Sequence, residues 1–357
     1  MKIFVTSKLI NYLSALFLTI AFSLSISTIL YANSAVGTCS RSPNLHGGGK
    51  GRFIPGYGFS MDEEKSLRIL SSILGNIKIS VENTLTDSER DLVKDIKYCI
   101  DTWNTERYGF YYRVNKRNSS KEIVFGYQSL SILSKIASAI AISETLDVKA
   151  PYRWWRSYAL YLRRTTDWSE AVEPLYVFNK EEFSYIHQIS EGSEDYFLEM
   201  LTFIVSHEIS HALLEHEFDR NLEELSISER KSLLRNWEEE ADSRAVELLS
   251  RKLAFENGLT LSGASLIFIN FHLIDGWRKN QNSTHPADTK RIQSFSKFVL
   301  NDLDHTFWPS NEWDIMRSKA ESLGKNAIKA EEPGYFDAFD REASLINLET
   351  LEYKIFK

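Results

Sequence analysis

The stretch that most narrows the fold is SHEISHALLEHE, residues 206–217, which places two histidines four residues apart inside an apolar helical pattern. Phe197, Met200, Leu201, Ile204, His211 and Leu214 recur at near-helical spacing, so His207 and His211 project side by side, on or beside the buried face. Gly192-Ser193 reads as a break and an N-cap, with Glu194 and Asp195 in the first turn where the macrodipole favours acids. Nothing interrupts the pattern before Phe218. Two explanations stand at this point: ordinary helix histidines satisfied by their neighbours, or two imidazoles that share one metal ion and need a third ligand.

A second helical segment supplies a candidate. Ser226-Ile227-Ser228-Glu229 has the form of a capping box, and the helical period continues towards Gly258 as a C-terminal stop. Within it lies Glu238-Glu239-Glu240-Ala241-Asp242. Glu238 and Asp242 share one face at i and i+4, and Ala241 and Ala245 are small enough for close approach to the first helix. Glu238 can then complete a His-His-Glu zinc site with water in the fourth position, while Asp242 hydrogen-bonds a ligand imidazole from behind. The competing explanation is a solvated acidic face. His216 falls five residues after His211 and, on a continuing helix, points away from the pair.

Residues 259–274 are apolar but short for a membrane span, which places them in the core with His272 packed among them. Pro286 in Ser283-Thr284-His285-Pro286-Ala287 marks a further helix start, with His285 at its mouth and Arg291 nearly two turns on. A histidine so placed can donate to the oxyanion that forms when a peptide carbonyl is attacked, and Arg291 can orient an acid or assist that charge.

Upstream, Met61 to Gly75 reads as a helix, the IKISV after it alternates like a strand, and Tyr108–Val114 with Ile123–Tyr127 suggests an antiparallel hairpin. Residues 129–145 and 151–164 read as helices. The expected fold is therefore α+β, predominantly helical, with a small antiparallel sheet.

Residues 9–32 carry no charge and follow Lys2 and Lys8, the layout of either a signal peptide or an uncleaved membrane anchor within residues 1–35. Residues 36–58 mix Gly, Ser, Pro and basic residues without periodicity and read as a linker, which leaves residues 59–357 as a single domain. The domain is then either anchored to a membrane or exported. Cys39 and Cys99 are too few for a cysteine zinc site, and in an oxidising compartment they could form one bridge. A net charge of −7 disfavours nucleic acid as a partner.

His207 to His211, then Glu238-x-x-Ala241-Asp242, then His285-Pro286 with Arg291 six residues after the histidine, resembles the gluzincin pattern of the CaaX prenyl-protein and HtpX type metallopeptidases. It is similar more closely to the Lit family of phage-exclusion peptidases, through Gly192 to Asp195, His207 to His211, Glu238 to Ser243, and Asn282 with Thr284 to Ala287. The resemblance covers about residues 192–294. It implies a zincin-like metallopeptidase fold with one Zn(II) per chain, held by His207, His211 and Glu238, with Glu208 as the base. It also implies a protein substrate. Lit-type peptidases cut a cytosolic translation elongation factor, which an exported domain could not meet, so either the domain faces the cytoplasm or its target differs. The alternative function is a membrane-tethered, zinc-stabilised binding or sensor module without catalysis.

Overall fold

The computed structural model describes residues 36–39, 63–102, 109–114, 119–146, 153–164, 186–216, 222, 225–256, 258, 260–275, 288–303, 306 and 308–330. The apolar segment 9–32 lies outside them, as does His285. No helix among the described residues is long and apolar enough to cross a membrane.

The architecture is predominantly helical α+β with one four-stranded sheet. Strand β1 is Val36–Thr38, β2 Lys97–Asp101, β3 Phe110–Val114 and β4 Lys121–Gly126, in the spatial order β1-β2-β4-β3. The hairpin forms as expected, with β3 antiparallel to β4 and Tyr112 opposite Ile123. The sheet as a whole is mixed instead of antiparallel, because β1 and β4 both run parallel to β2. Two helices between β1 and β2 make the crossover that their parallel pairing needs, whereas the chain passes from β2 to β4 by way of β3.

Side chains alternate across the sheet with the two-residue period of a strand. Tyr98, Ile100, Ile123 and Phe125 face the helical core. Cys99 and Val124 face the other way, into a small apolar cluster closed by the Cys39–Cys99 disulfide. Strand β1 therefore lies inside the segment 36–58 read as a linker, and the compact unit begins at Val36. Three residues are too few to display strand periodicity in a sequence.

Helix α1, Glu63–Glu82, runs through the IKISV stretch expected to be a strand. Leu70, Leu74, Ile77 and Val81 are all buried at helical spacing, so the longer helical period outweighs the local alternation. Helix α2, Asp87–Val93, starts at a capping box on Thr86. Helices α3, Tyr127–Leu146, and α4, Arg153–Arg164, match the sequence expectation.

Helix α5, Ile186–Leu213, passes through the middle of the core, and every residue from Met200 to Ala212 is buried. The helix is covered on all sides along that stretch, so its polar members Thr202, Ser206, His207, Glu208, Ser210 and His211 are buried with the apolar ones. It begins before Gly192-Ser193, so that pair is not its start. Gly192 instead faces Ala141 of α3, where an added Cβ would stand 3.3 Å from the alanine methyl. A missing side chain there lets the two helices pack closely.

Helix α6, Ile227–Ser250, carries the expected capping box, with Ser226 and Glu229 each accepting from the other's backbone N–H. It ends at Ser250, short of Gly258, and α7, Lys252–Glu256, follows a change of direction at the extended residue Arg251. Arg251 and Arg244 both grip Glu89 of α2. Hydrogen bonding from Arg251 holds the Glu89 carboxyl down at about 2 against the opposing effect of its partial burial.

Helix α8, Ser262–Asp275, is the expected core helix, with Leu261, Ala264, Ile267 and Phe268 buried. The side chain of His272 lies outside the described residues. Helices α9, Asp288–Asn301, and α10, Ser310–Ala330, complete the body.

Gly263 sets how close α8 comes to α5. A Cβ there would stand 1.9 Å from the Glu199 carbonyl oxygen and 2.5 Å from its carbon, both backbone atoms that a rotamer change cannot move. Gly263→Ala is therefore expected to force the helices apart and lower unfolding free energy by about 2–3 kcal/mol. Urea titration of both proteins measures this, and a loss below about 0.5 kcal/mol would mean the contact is not tight.

Candidate metal centre

Helices α5 and α6 cross so that three side chains separated by up to 31 positions converge in the core. His207 Nε2 and His211 Nε2 lie 3.1 Å apart. Glu238 Oε2 stands 3.4 Å from the first, and its Oε1 3.6 Å from the second. All three residues are buried, and together they could hold a metal ion. Ligand atoms about 2.0–2.1 Å from a tetrahedral zinc stand roughly 3.3 Å from one another, so the observed separations fit that ion. The donor chemistry fits as well, since two imidazole nitrogens and a carboxylate oxygen are all electron-pair donors and share one buried space.

Glu238 is the member of the Glu238-Glu239-Glu240 run that faces α5. Glu240, two residues on, has its side chain 58% exposed and reaches His216 instead. Glu208 follows His207 on the same helix and is buried beside the cluster.

Behind His207 stands a second layer of charge. Its Nδ1 lies 3.0 Å from Asp242 Oδ1. Arg291, from the first turn of α9, grips the same carboxylate with Nε to Oδ2 at 2.6 Å and Nη2 to Oδ1 at 2.7 Å. This two-pronged contact fixes the carboxylate plane. Phe268 of α8 lies beneath the guanidinium at 5.0 Å and packs edge-on against Phe203, which in turn borders His207. The packing of α8 on α5 thus supports the cluster from below.

Burial opposes the charge on each of these groups, and their partners decide the outcome. Burial pulls His207 down, but Asp242 and Glu238 more than reverse this and carry it up to about 10. Burial pushes Asp242 up, and Arg291 with His207 brings it below its ordinary value. His211, held by burial and by the neighbouring His207 charge, lies well below its ordinary value and is neutral. A cation bound at His207 would have to displace its proton, so its uptake would be favoured as pH rises.

His216 is not where a continuing helix would put it. The helix stops at Leu213, and Glu215 adopts φ 54°. The His216 N–H then donates to the His211 carbonyl at 3.0 Å, and the Glu215 N–H to that of Ala212 at 3.2 Å. This pair of bonds is a Schellman turn, which folds the chain back over its last helical turn. His216 Nδ1 consequently lies 2.9 Å from His211 Nδ1. The sequence offers no glycine at the turn to announce it.

The structure thus brings His207, Glu208, His211, Glu238, Asp242 and Arg291 into one buried neighbourhood. Sequence reasoning missed His216 there, and it missed the direct link between Arg291 and Asp242, for which spacing along the chain holds no signal.

No curated protein and no solved structure matches the chain. Residues 137–309, just under half of it, match the family model Peptidase U49, the family of the Lit-type peptidases. That span contains the whole cluster, and the match supports an activity on peptide bonds.

Proposed function

We propose that this chain is a zinc-dependent endopeptidase whose active site is the His207, Glu208, His211, Glu238 cluster. The observation that carries the proposal is the convergence of the two imidazole Nε2 atoms, 3.1 Å apart, on the Glu238 carboxylate, whose two oxygens lie 3.4 and 3.6 Å from them, with the buried Glu208 next to His207 in the chain. His207, His211 and Glu238 would hold the ion. Zinc bound there supplies Lewis-acid polarisation of the scissile carbonyl and lowers the pKa of its water.

The remaining roles fall to the chain's own groups. Glu208 takes the proton from the attacking water and passes it to the leaving amine. Asp242 keeps the His207 ring in the orientation that points Nε2 into the cluster, and Arg291 keeps Asp242 ionised and in plane. His285, three residues before α9 in the sequence, is proposed as donor to the developing oxyanion on its sequence context alone.

The resemblance to Lit-type peptidases extends the reading to phage exclusion. The Cys39–Cys99 disulfide favours an oxidising compartment for the domain. Together with the uncharged segment 9–32, it favours a domain exported or anchored on that side, with a substrate other than a cytosolic elongation factor. Labelling of Cys39 and Cys99 by a membrane-impermeant thiol reagent, before and after reduction of whole cells, tests this placement. Labelling only after reduction is the expected result; labelling without it would mean that the thiols are unpaired, and no labelling in either case would place the domain in the cytoplasm.

The zinc reading is tested by metal analysis of the purified chain, with cleavage of an unfolded protein followed before chelation, after it, and after zinc is restored. About one zinc per chain is expected, with cleavage lost on chelation and regained with zinc. A chain that binds zinc yet cuts nothing would be the binding or sensor module instead. A chain that binds no metal would end the zinc reading.

A further inference from the structure

His216 is buried, and both of its ring nitrogens are engaged. Nδ1 meets His211 Nδ1 at 2.9 Å, and Nε2 meets Glu240 Oε2 at 3.0 Å. The ring is also stacked on Trp237, with centroids 5.1 Å apart and planes 12° from parallel. Both supports come from α6, the helix that carries Glu238. A structural cap needs only the backbone bonds of the Schellman turn, which His216 makes through its N–H. Its side chain has been given a further set of contacts.

These contacts restrict where the protons sit. To present Nε2 as a free electron pair, His211 has to carry its proton on Nδ1. That N–H needs an acceptor, and the atom opposite it is His216 Nδ1. If His216 accepts there, its own proton is on Nε2, where it donates to the Glu240 carboxylate. One tautomer pattern therefore satisfies every bond from the half-exposed Glu240 through His216 to His211.

We propose that His216 and Glu240 are positioning residues for His211, fixing its tautomer and ring plane so that Nε2 faces the metal cluster. The inference rests on the zinc reading of the cluster and extends it to its second histidine. Asp242 and Arg291 orient His207 from one side. His216, Glu240 and Trp237 do the same for His211 from the other, so each imidazole has its own carboxylate-anchored support. Contacts of this kind typically change metal affinity by about 10- to 100-fold when removed.

The test is zinc affinity by chelator competition in the full-length protein, with thermal melting of the metal-free form measured alongside. His216→Phe keeps an aromatic ring for Trp237 and the backbone turn but removes the acceptor. It is expected to weaken zinc binding about 10- to 100-fold. His216→Asn returns an acceptor close to the position of Nδ1 and is expected to bind within about threefold of wild type. Glu240→Ala changes an exposed side chain, leaves folding intact and is expected to cost about three- to tenfold, because water partly replaces the carboxylate.

Zinc binding as tight in His216→Phe and Glu240→Ala as in wild type would overturn the inference while leaving the metal site standing. So would equal losses in His216→Phe and His216→Asn, which would assign the effect to packing. If wild type itself binds no zinc, the underlying reading fails and takes the inference with it. Should His216→Phe melt too low to measure, unchanged affinity in Glu240→Ala decides against the relay.

Discussion

Glu208→Gln is expected to lower kcat/KM for peptide hydrolysis by about a thousandfold or more, with zinc content and melting temperature unchanged. The side chain is buried on a helix that is itself enclosed by core. Glutamine has nearly the same shape, so packing is preserved, but an amide cannot take a proton from water. General bases typically contribute about 10²- to 10⁴-fold, and here the same group also returns the proton to the leaving amine. The measurement is a single-turnover rate on an unfolded protein substrate with metal content determined in the same samples. Activity within about tenfold of wild type would remove Glu208 from the base role.

Glu238→Ala is expected to lower zinc affinity by about 10²- to 10³-fold, while Glu239→Ala leaves it unchanged. The magnitude follows from structural zinc sites, where about 10–16 kcal/mol is shared among four ligands, or about 2.5–4 kcal/mol for each. Glu238 is the residue of its run that reaches both histidine nitrogens, and Glu239 does not belong to the converging group. Truncation also leaves the His207 charge with less compensation in a buried place, so metal-free stability should fall as well. Chelator competition on both variants measures the contrast. Loss in Glu239→Ala with retention in Glu238→Ala would reverse the assignment.

Several parts of this arrangement can be read from the sequence because they depend on local periodicity. His207 and His211 share a face through the i, i+4 relation, and Glu238 and Asp242 do so for the same reason. Ser226 and Glu229 announce the start of α6 through chemistry that operates within four residues. The hairpin is visible in its β-branched and aromatic runs.

Where local signals competed or were absent, the reading failed. IKISV alternates over five residues, yet the burial of Leu70, Leu74, Ile77 and Val81 holds it in a helix. Gly192-Ser193 has the form of a helix start, but close packing against Ala141 explains the glycine equally well. Glu215 takes a left-handed conformation that few non-glycine residues adopt, and no neighbouring residue foretells it. That one residue decides whether His216 points into solvent or back onto His211.

The sequence by itself determined the pairs: two histidines on one helix, two acids on another, and a glutamate between the histidines. Helical spacing is a property of a few neighbouring residues and survives whatever the rest of the chain does. Only the tertiary structure decided which pair meets which. The crossing of α5 and α6 placed Glu238 against both imidazoles, the approach of α8 allowed by Gly263 put Phe268 under Arg291, and the turn at Glu215 returned His216 to the cluster. These contacts join residues that are tens of positions apart or that follow a break in helical geometry, so the packing of the core fixes them and no local pattern encodes them.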